Sequence, residues 1–372
     1  MKWVYNFDQF GIPMWLQLLY WLLYVLVFVY TYKKTILPQL QNKQPSDATS
    51  LFILYFALFA VFYCINPDYF RYREWIYGRD FTFWTKEQIY VHIILFCRDL
   101  PFDYPFEAFR LIVWGGAILI AYLTFQMYRE QLLPGLTLLF LFVFYSGTFC
   151  YARASLGMAI YFLGIAFYLL YKKPVIKLLG IGLAISSYLF HHEMLIGIVV
   201  LPCILVSFER KRISILSIVF VIAVAIVLSQ VSSIQDIIDT VFDDEELSEK
   251  VESINDKEQR AFRLSTLIGY LCYYYPLYLI TRRFWKKRLP SSIKGMYRMT
   301  FAIVLASIAL MIITGLRSVY TYRVLYISMI PMSLLIGYCY YNGDFKMRQL
   351  LIMMALALLA NSSRFINHYS FN

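Results

Sequence analysis

Charge is what this chain has least of. Asp, Glu, Lys and Arg make up 15% of its 372 residues, against roughly 25% in an ordinary soluble domain. Hydrophobic residues make up 60% and aromatic residues 19%. Its apolar runs reach about 16–21 residues, which at about 1.5 Å per residue span a hydrocarbon core of roughly 30 Å. A water-soluble enzyme is thereby excluded. Lipid offers the backbone no hydrogen-bond partners, so each span must be helical. The expected fold class is an all-α integral membrane protein with about twelve transmembrane helices in a single polytopic domain, residues 1–372.

Other absences narrow the chemistry. The six cysteines are scattered and no C-x-x-C occurs, so neither a zinc site nor a disulfide framework is indicated. No D-x-D occurs, which speaks against metal-bound nucleotide sugars. No G-x-x-x-x-G-K loop occurs, which removes the case for a nucleotide-driven pump. No internal repeat is visible, although transporters are often built from repeats. The apolar stretch from Met14 to Tyr32 lacks a small-residue cleavage site and reads as a span rather than a signal peptide. No cofactor and no metal are expected. The formal charge of +11 is not a nucleic-acid signal, because the cations cluster between apolar spans.

The spans read as 14–32, 50–65, 107–127, 132–149, 152–171, 175–190, 194–208, 213–230, 264–281, 297–314, 324–341 and 349–363. Alternate loops then hold Lys33, Lys34, Lys43, Arg129, Lys172, Lys173, Lys177, Arg210, Lys211, Arg212, seven cations between Arg282 and Arg298, Lys346 and Arg348. These 19 basic residues face only Asp47, Glu130, Glu209 and Asp344. Positive-inside bias puts this set in the cytoplasm, and both termini outside.

Two outer segments are large. Residues 66–106 contain "KEQIYVHIILFCRD", too short to span and read as a re-entrant or interfacial helix. Residues 231–263 are acidic. There Ile234, Ile237, Ile238, Val241 and Phe242 recur at helical spacing behind Ser232 and Ser233. This reads as an amphipathic outer helix, with a solvated acidic loop as the alternative.

Four histidines occur in the whole chain, and two sit in "SSYLFHHEMLIGIVV". This topology puts His191, His192 and Glu193 at the outer turn between the sixth and seventh spans. A wet turn would need nothing more of them. Ionisable groups at membrane depth, however, usually face a protein interior. Arg153, in "YARASLGMAIYFLG", and Arg317 and Arg323, in "GLRSVYTYRVLY", fall at the same level. Arginine offers a rigid fork of donors suited to phosphate oxygens; snorkelling to headgroups is the plainer reading of any single one. Asp68 and Tyr72 in "INPDYFRYREW", and Asp103 and Glu107 in "FDYPFEAFRL", lie on the same side. A carboxylate there could take a proton from a hydroxyl or simply pair with Arg71, Arg73 or Arg110.

These stretches carry a resemblance. "PDYFRY", "FEAF", "ARASLGMAI" and "FHHEMLI" resemble the EpsG/Wzy-like family of bacterial polysaccharide polymerases, in which an Arg opening a small-residue helix is followed some forty residues on by Phe-His. Arg153 and Phe190-His191 match; Glu193 stands where the family usually has a small or polar residue. The resemblance implies a glycosyltransferase with a GT-C-like helical core in the bacterial plasma membrane, its site facing the exterior. Its partners would be undecaprenyl-diphosphate-linked oligosaccharide and the bilayer, with a chain-length regulator as a further partner and no nucleic acid. The growing glycan would leave one lipid diphosphate for a sugar hydroxyl of another lipid-linked unit. Arg153, Arg317 and Arg323 would then hold the diphosphate, with His191, Glu193 or Asp68 taking the proton. Tyr72, Asp103, Glu107 and His192 would touch sugar. A flippase for the same lipid-linked sugars and an O-antigen ligase are the alternatives.

Overall fold

The computed structural model describes residues 32–41, 76–77, 88–101, 103–131, 152–231, 264–314 and 318–368, with isolated positions between 15 and 30. Among these residues all regular structure is helical. The expected spans 50–65 and 132–149 lie outside the described residues, as does all of the acidic segment beyond Val231.

After a short helical piece at Tyr32–Ile36 and Leu37–Leu40, helix α1 (Gln88–Arg98) lies within residues 66–106, where a short apolar helix is expected. Helix α2 (Pro105–Met127) starts on Pro105, whose missing N–H costs nothing at a helix start. It passes through a π-helical turn at Leu111–Gly115 and continues to Met127. Helices α3 (Ala152–Leu170) and α4 (Pro174–Ser186) follow as a hairpin. After α5 (Met194–Val199) come α6 (Lys211–Leu228), α7 (Leu264–Phe284), α8 (Ser291–Ile313), α9 (Ser318–Ile327), α10 (Met329–Tyr341) and α11 (Met347–His368). By length and composition α2, α6 and α8 can each cross a membrane, and several shorter apolar helices accompany them.

Two expected spans are not continuous helices. The 194–208 span breaks after α5. Pro202 cannot donate to the Ile198 carbonyl, and the chain tightens into a 3-10 turn, Leu201–Leu205, before Val206 turns extended. Met194–Leu205 therefore covers about 19 Å, well short of a hydrocarbon core of roughly 30 Å. The 324–341 span breaks at Ser328, between α9 and α10. Pro331 leaves the Ile327 carbonyl without its intrahelical donor, and the Ser328 hydroxyl donates back to Leu325 O at 2.7 Å.

Packing explains which helices are central. Met329 through Tyr340 of α10 are all buried, and α8 is buried along most of its length. Helix α3 packs on α2, α4, α8 and α10, while α6 packs on α8. Buried hydroxyls in this core satisfy themselves: Thr124, Thr300, Thr314 and Ser333 each donate to the carbonyl four residues back, at 2.8–2.9 Å. Helix α6 is peripheral and leaves Leu216, Val219 and Phe220 exposed, as a lipid-facing surface would.

The α3–α4 hairpin is held backbone to backbone. A Cβ on Gly164 would sit 2.4 Å from Gly180 O and 2.7 Å from Ala184 N. Small residues let helices approach this closely, and neither contact atom can move without shifting a helix. Gly164→Val should therefore lower the thermal midpoint of the detergent-purified protein, at an overpacking cost of about 1–3 kcal/mol. Gly182→Ala should be nearly silent, since its Cβ would face open space. Equal midpoints for the two variants would remove close backbone packing as the reason for the glycine.

At the end of the bundle where α6 and α8 begin, Arg298 grips Glu209 with Nε at 3.0 Å and Nη2 at 2.6 Å, and donates through Nη1 to Ile204 O. This ties the end of the 3-10 turn to α8. Burial raises the Glu209 pKa, but the Arg298 hydrogen bonds and charge outweigh it and hold the carboxyl below its ordinary value. At the same end Lys287 meets Asp344 at 2.5 Å.

Candidate active site

The opposite end of α4 does not stop cleanly. A 3-10 turn, Ser187–Leu189, continues it, and Phe190–Glu193 form a tight turn into α5. The Ser187 hydroxyl donates to Ala184 O, and Ser187 O accepts from the amides of Phe190 and His191. The carbonyls of His191, His192 and Glu193 accept from Met194, Leu195 and Ile196. The turn thus spends its own carbonyls on starting α5.

Glu193 is the N-cap residue of α5, yet its side chain caps nothing. Its carboxylate turns instead to an arginine and a histidine. Oε1 accepts from Arg323 Nη1, on α9, at 2.5 Å. Oε2 lies 3.0 Å from His191 Nε2. All three side chains are buried, Glu193 at 2% exposure and Arg323 at 8%. The His192 ring is also buried and meets His191 edge-on, with centroids 5.0 Å apart.

A carboxylate enclosed this way is expensive unless charges balance it. Burial raises the Glu193 pKa, but Arg323 and then His191 more than offset it, so the group is pulled down to about 2. An ordinary glutamate titrates near 4.3. The stability this pairing contributes is therefore complete above about pH 4.3 and lost as pH falls towards 2. Acidification across that window should lower the thermal midpoint of the wild-type protein, and Glu193→Gln should flatten that part of the profile. A Glu193→Gln profile that matched wild type would show that another group is titrating.

Helix α3 supports the turn from behind. A Cβ on Gly157 would come within 3.2 Å of Met194 Cγ, 3.3 Å of Ser187 O and 3.5 Å of His191 Cβ. One turn deeper, the Tyr161 hydroxyl donates to Gly197 O at 2.5 Å, and the ring closes over Gly197 so that α3 and α5 stay in register. Arg153 lies four residues before Gly157, on the same face of α3 and about 6 Å further along its axis. The backbone thus puts the start of α3 about one turn beyond the point where Gly157 meets the His191 turn.

Four of the ten candidate residues, His191, His192, Glu193 and Arg323, come together in this cluster. Asp103 is exposed just before α2, and Glu107 is half-buried in its first turn, with Oε2 lacking a hydrogen-bond partner among the described residues. Neither joins the cluster. Asp68, Tyr72 and Arg317 lie outside the described residues, and Arg153 is described only in its helical backbone. Sequence reasoning missed Gly157 and Tyr161; the run of small residues in "ARASLGMAI" was the available signal for the first.

The EpsG family model matches residues 48–370, which is most of the chain and includes every candidate residue. The chain belongs to the EpsG family. This is a family of Wzy-like polysaccharide polymerases. No curated protein and no solved structure matches the chain. Within this EpsG protein the "FHHEMLI" stretch is therefore the turn of a buried Arg–Glu–His line, and "ARASLGMAI" is the helix packed behind it.

Proposed function

We propose that this EpsG protein is a polymerase-type glycosyltransferase with a GT-C-like helical core. It moves a growing glycan from undecaprenyl diphosphate onto another lipid-linked repeat unit at the outer face of the bacterial plasma membrane. The observation that carries the reading is the buried contact of Arg323 with Glu193 and of Glu193 with His191, in a chain of this family.

The reaction forms a bond from an acceptor hydroxyl oxygen to the anomeric carbon and breaks the bond from that carbon to the lipid diphosphate. The hydroxyl proton must leave, and the diphosphate must carry negative charge. Glu193 is a poor base with its carboxylate held down near 2. His191 fits better. With Nε2 facing Glu193, the neutral ring donates from Nε2 and takes the hydroxyl proton on Nδ1. Glu193 then stabilises the imidazolium that forms, and Arg323 keeps Glu193 ionised. Arg323 thus acts through Glu193, whereas sequence alone put it on the diphosphate. Arg153 and Arg317 are left to bind the leaving diphosphate, where preorganised donors count most as charge develops.

The test is the full chain in liposomes with lipid-linked repeat units as the only sugar source, scored for a polymer ladder. His191→Ala should reduce the ladder about 100- to 10,000-fold. A ladder of wild-type rate from His191→Ala would remove His191 as the base, and no ladder from the wild-type protein would remove the polymerase reading.

Orientation is testable separately. The 19-to-4 excess of basic over acidic residues in one set of loops predicts that a cysteine placed at Ser248 is labelled from outside intact cells and one at Ser291 is not. The reverse pattern would turn the His191 end to the cytoplasm and overturn the outer-face assignment.

A further inference from the structure

The end of the bundle far from His191 carries the strongest exposed charge among the described residues. Arg210, Lys211 and Arg212 open α6, while Arg282, Arg283, Lys286, Lys287 and Arg288 close α7 and follow it; all eight are exposed. About seventy residues separate the two groups in sequence, yet they are fastened together. Trp285 Nε1 donates to Ser214 Oγ at 3.0 Å, and Lys211 Nζ lies 5.8 Å from the centre of the Trp285 ring. Among the described residues the nearby acids do little to neutralise them. Glu209 is held by Arg298, and Asp344 pairs with Lys287 alone of the eight.

The patch has an apolar continuation. One turn beyond Lys211 and Arg212, α6 exposes Ile215 and Leu216, then Val219 and Phe220. A partner that matches the whole surface needs negative charge beside hydrocarbon. A half-buried tryptophan at the junction is the side chain suited to that boundary. An acidic peptide would satisfy the cations but make no use of the apolar strip beside them.

We propose that the surface formed by Arg210–Arg212, Trp285 and Arg282–Arg288 binds the anionic headgroup of a phospholipid, with its acyl chains along α6. Positive-inside bias explains why cations sit at this end of the bundle. It does not explain why two groups of them are joined across one tryptophan beside an exposed apolar strip. The surface is also separate from the His191 site. Gly157 packs on His191, whereas Leu169, about 18 Å further along α3, packs on Gly295 near the start of α8. The lipid held here is accordingly not the glycan carrier, and the inference stands whether or not the chain polymerises glycan.

The experiment titrates the detergent-purified full chain with fluorescent phosphatidylglycerol or phosphatidylcholine in mixed micelles. Phosphatidylglycerol should bind at least about tenfold more tightly, and the preference should shrink when salt is raised, since exposed charges are screened. Lys211→Gln/Arg212→Gln/Lys286→Gln should weaken phosphatidylglycerol binding about tenfold or more, with phosphatidylcholine unchanged. Lys172→Gln/Lys173→Gln, at the same end but outside the patch, should leave binding intact. Equal affinity of wild type for the two lipids would overturn the proposal, whatever becomes of the triple variant. So would an equal loss in the triple and the control variants, which marks a diffuse charge effect. Displacement of phosphatidylglycerol by soluble polyglutamate at matching concentration would assign the patch to an acidic protein and overturn the lipid.

Discussion

Arg323→Met should be the most damaging single change at the His191 turn, costing about 3–5 kcal/mol of stability as well as the polymer ladder, because it strands a buried carboxylate. Glu193 sits at 2% exposure with Arg323 Nη1 at 2.5 Å, and methionine fills the space of the arginine stem without supplying charge. The double variant Glu193→Gln/Arg323→Met removes both charges. It should regain most of the lost thermal stability, since replacing a buried pair with neutral groups is often tolerated. Polymerisation should not return, because His191 would have no carboxylate to hold its tautomer and to stabilise the imidazolium. Recovery of stability without activity separates the structural role of the pair from the chemical one. If the double variant recovered the ladder together with stability, Glu193 and Arg323 would be structural supports and His191 would act without them.

How the line was legible in sequence is instructive. Its members were all visible, because ionisable residues stand out in a tract as apolar as 186–200. Their pairing was not. Glu193 and His191 are two apart in sequence, but Arg323 is 130 residues away on a different helix, and an arginine at the outer level reads equally as a phosphate ligand. Only the tertiary fold brings Arg323 to Glu193. The same holds for the broken spans. Pro202 and Pro331 were present in the sequence, yet hydropathy averages over them, so 194–208 and 324–341 looked continuous. A proline near a helix start is harmless and one inside is disruptive, and where the start falls is decided by neighbours such as Ser328.

The opposite error was available on the basic side. Positive-inside counting treats Arg210–Arg212 and Arg282–Arg288 as two tallies in two loops. It has no term for Trp285, which fastens them. Glycines were legible as small residues, but not as contacts. Gly164 and Gly182 have the same sequence signature, whereas a Cβ on the first would sit 2.4 Å from Gly180 O and a Cβ on the second would meet nothing within 4 Å. Long-range register between α3 and α4 makes that difference.

Arg153→Lys should lose most polymerising activity while the protein still inserts and accumulates. The position is fixed by the backbone: Arg153 opens α3, and four residues on, Gly157 packs against the His191 turn. Lysine keeps the charge, so a residue that only anchors the helix end in headgroups would tolerate the change. It loses the planar fork, so bidentate contact with a diphosphate would not survive. If that contact strengthens as the leaving group gains charge, losing it should cost on the order of 2–4 kcal/mol, or about 30- to 1000-fold in rate. The loss should fall on kcat more than on KM, because the contact matures in the transition state. Arg129→Lys, just beyond the other end of α2, serves as the control and should be nearly silent. Wild-type ladders from Arg153→Lys would return this arginine to the membrane interface and leave Arg317 as the remaining candidate for the diphosphate.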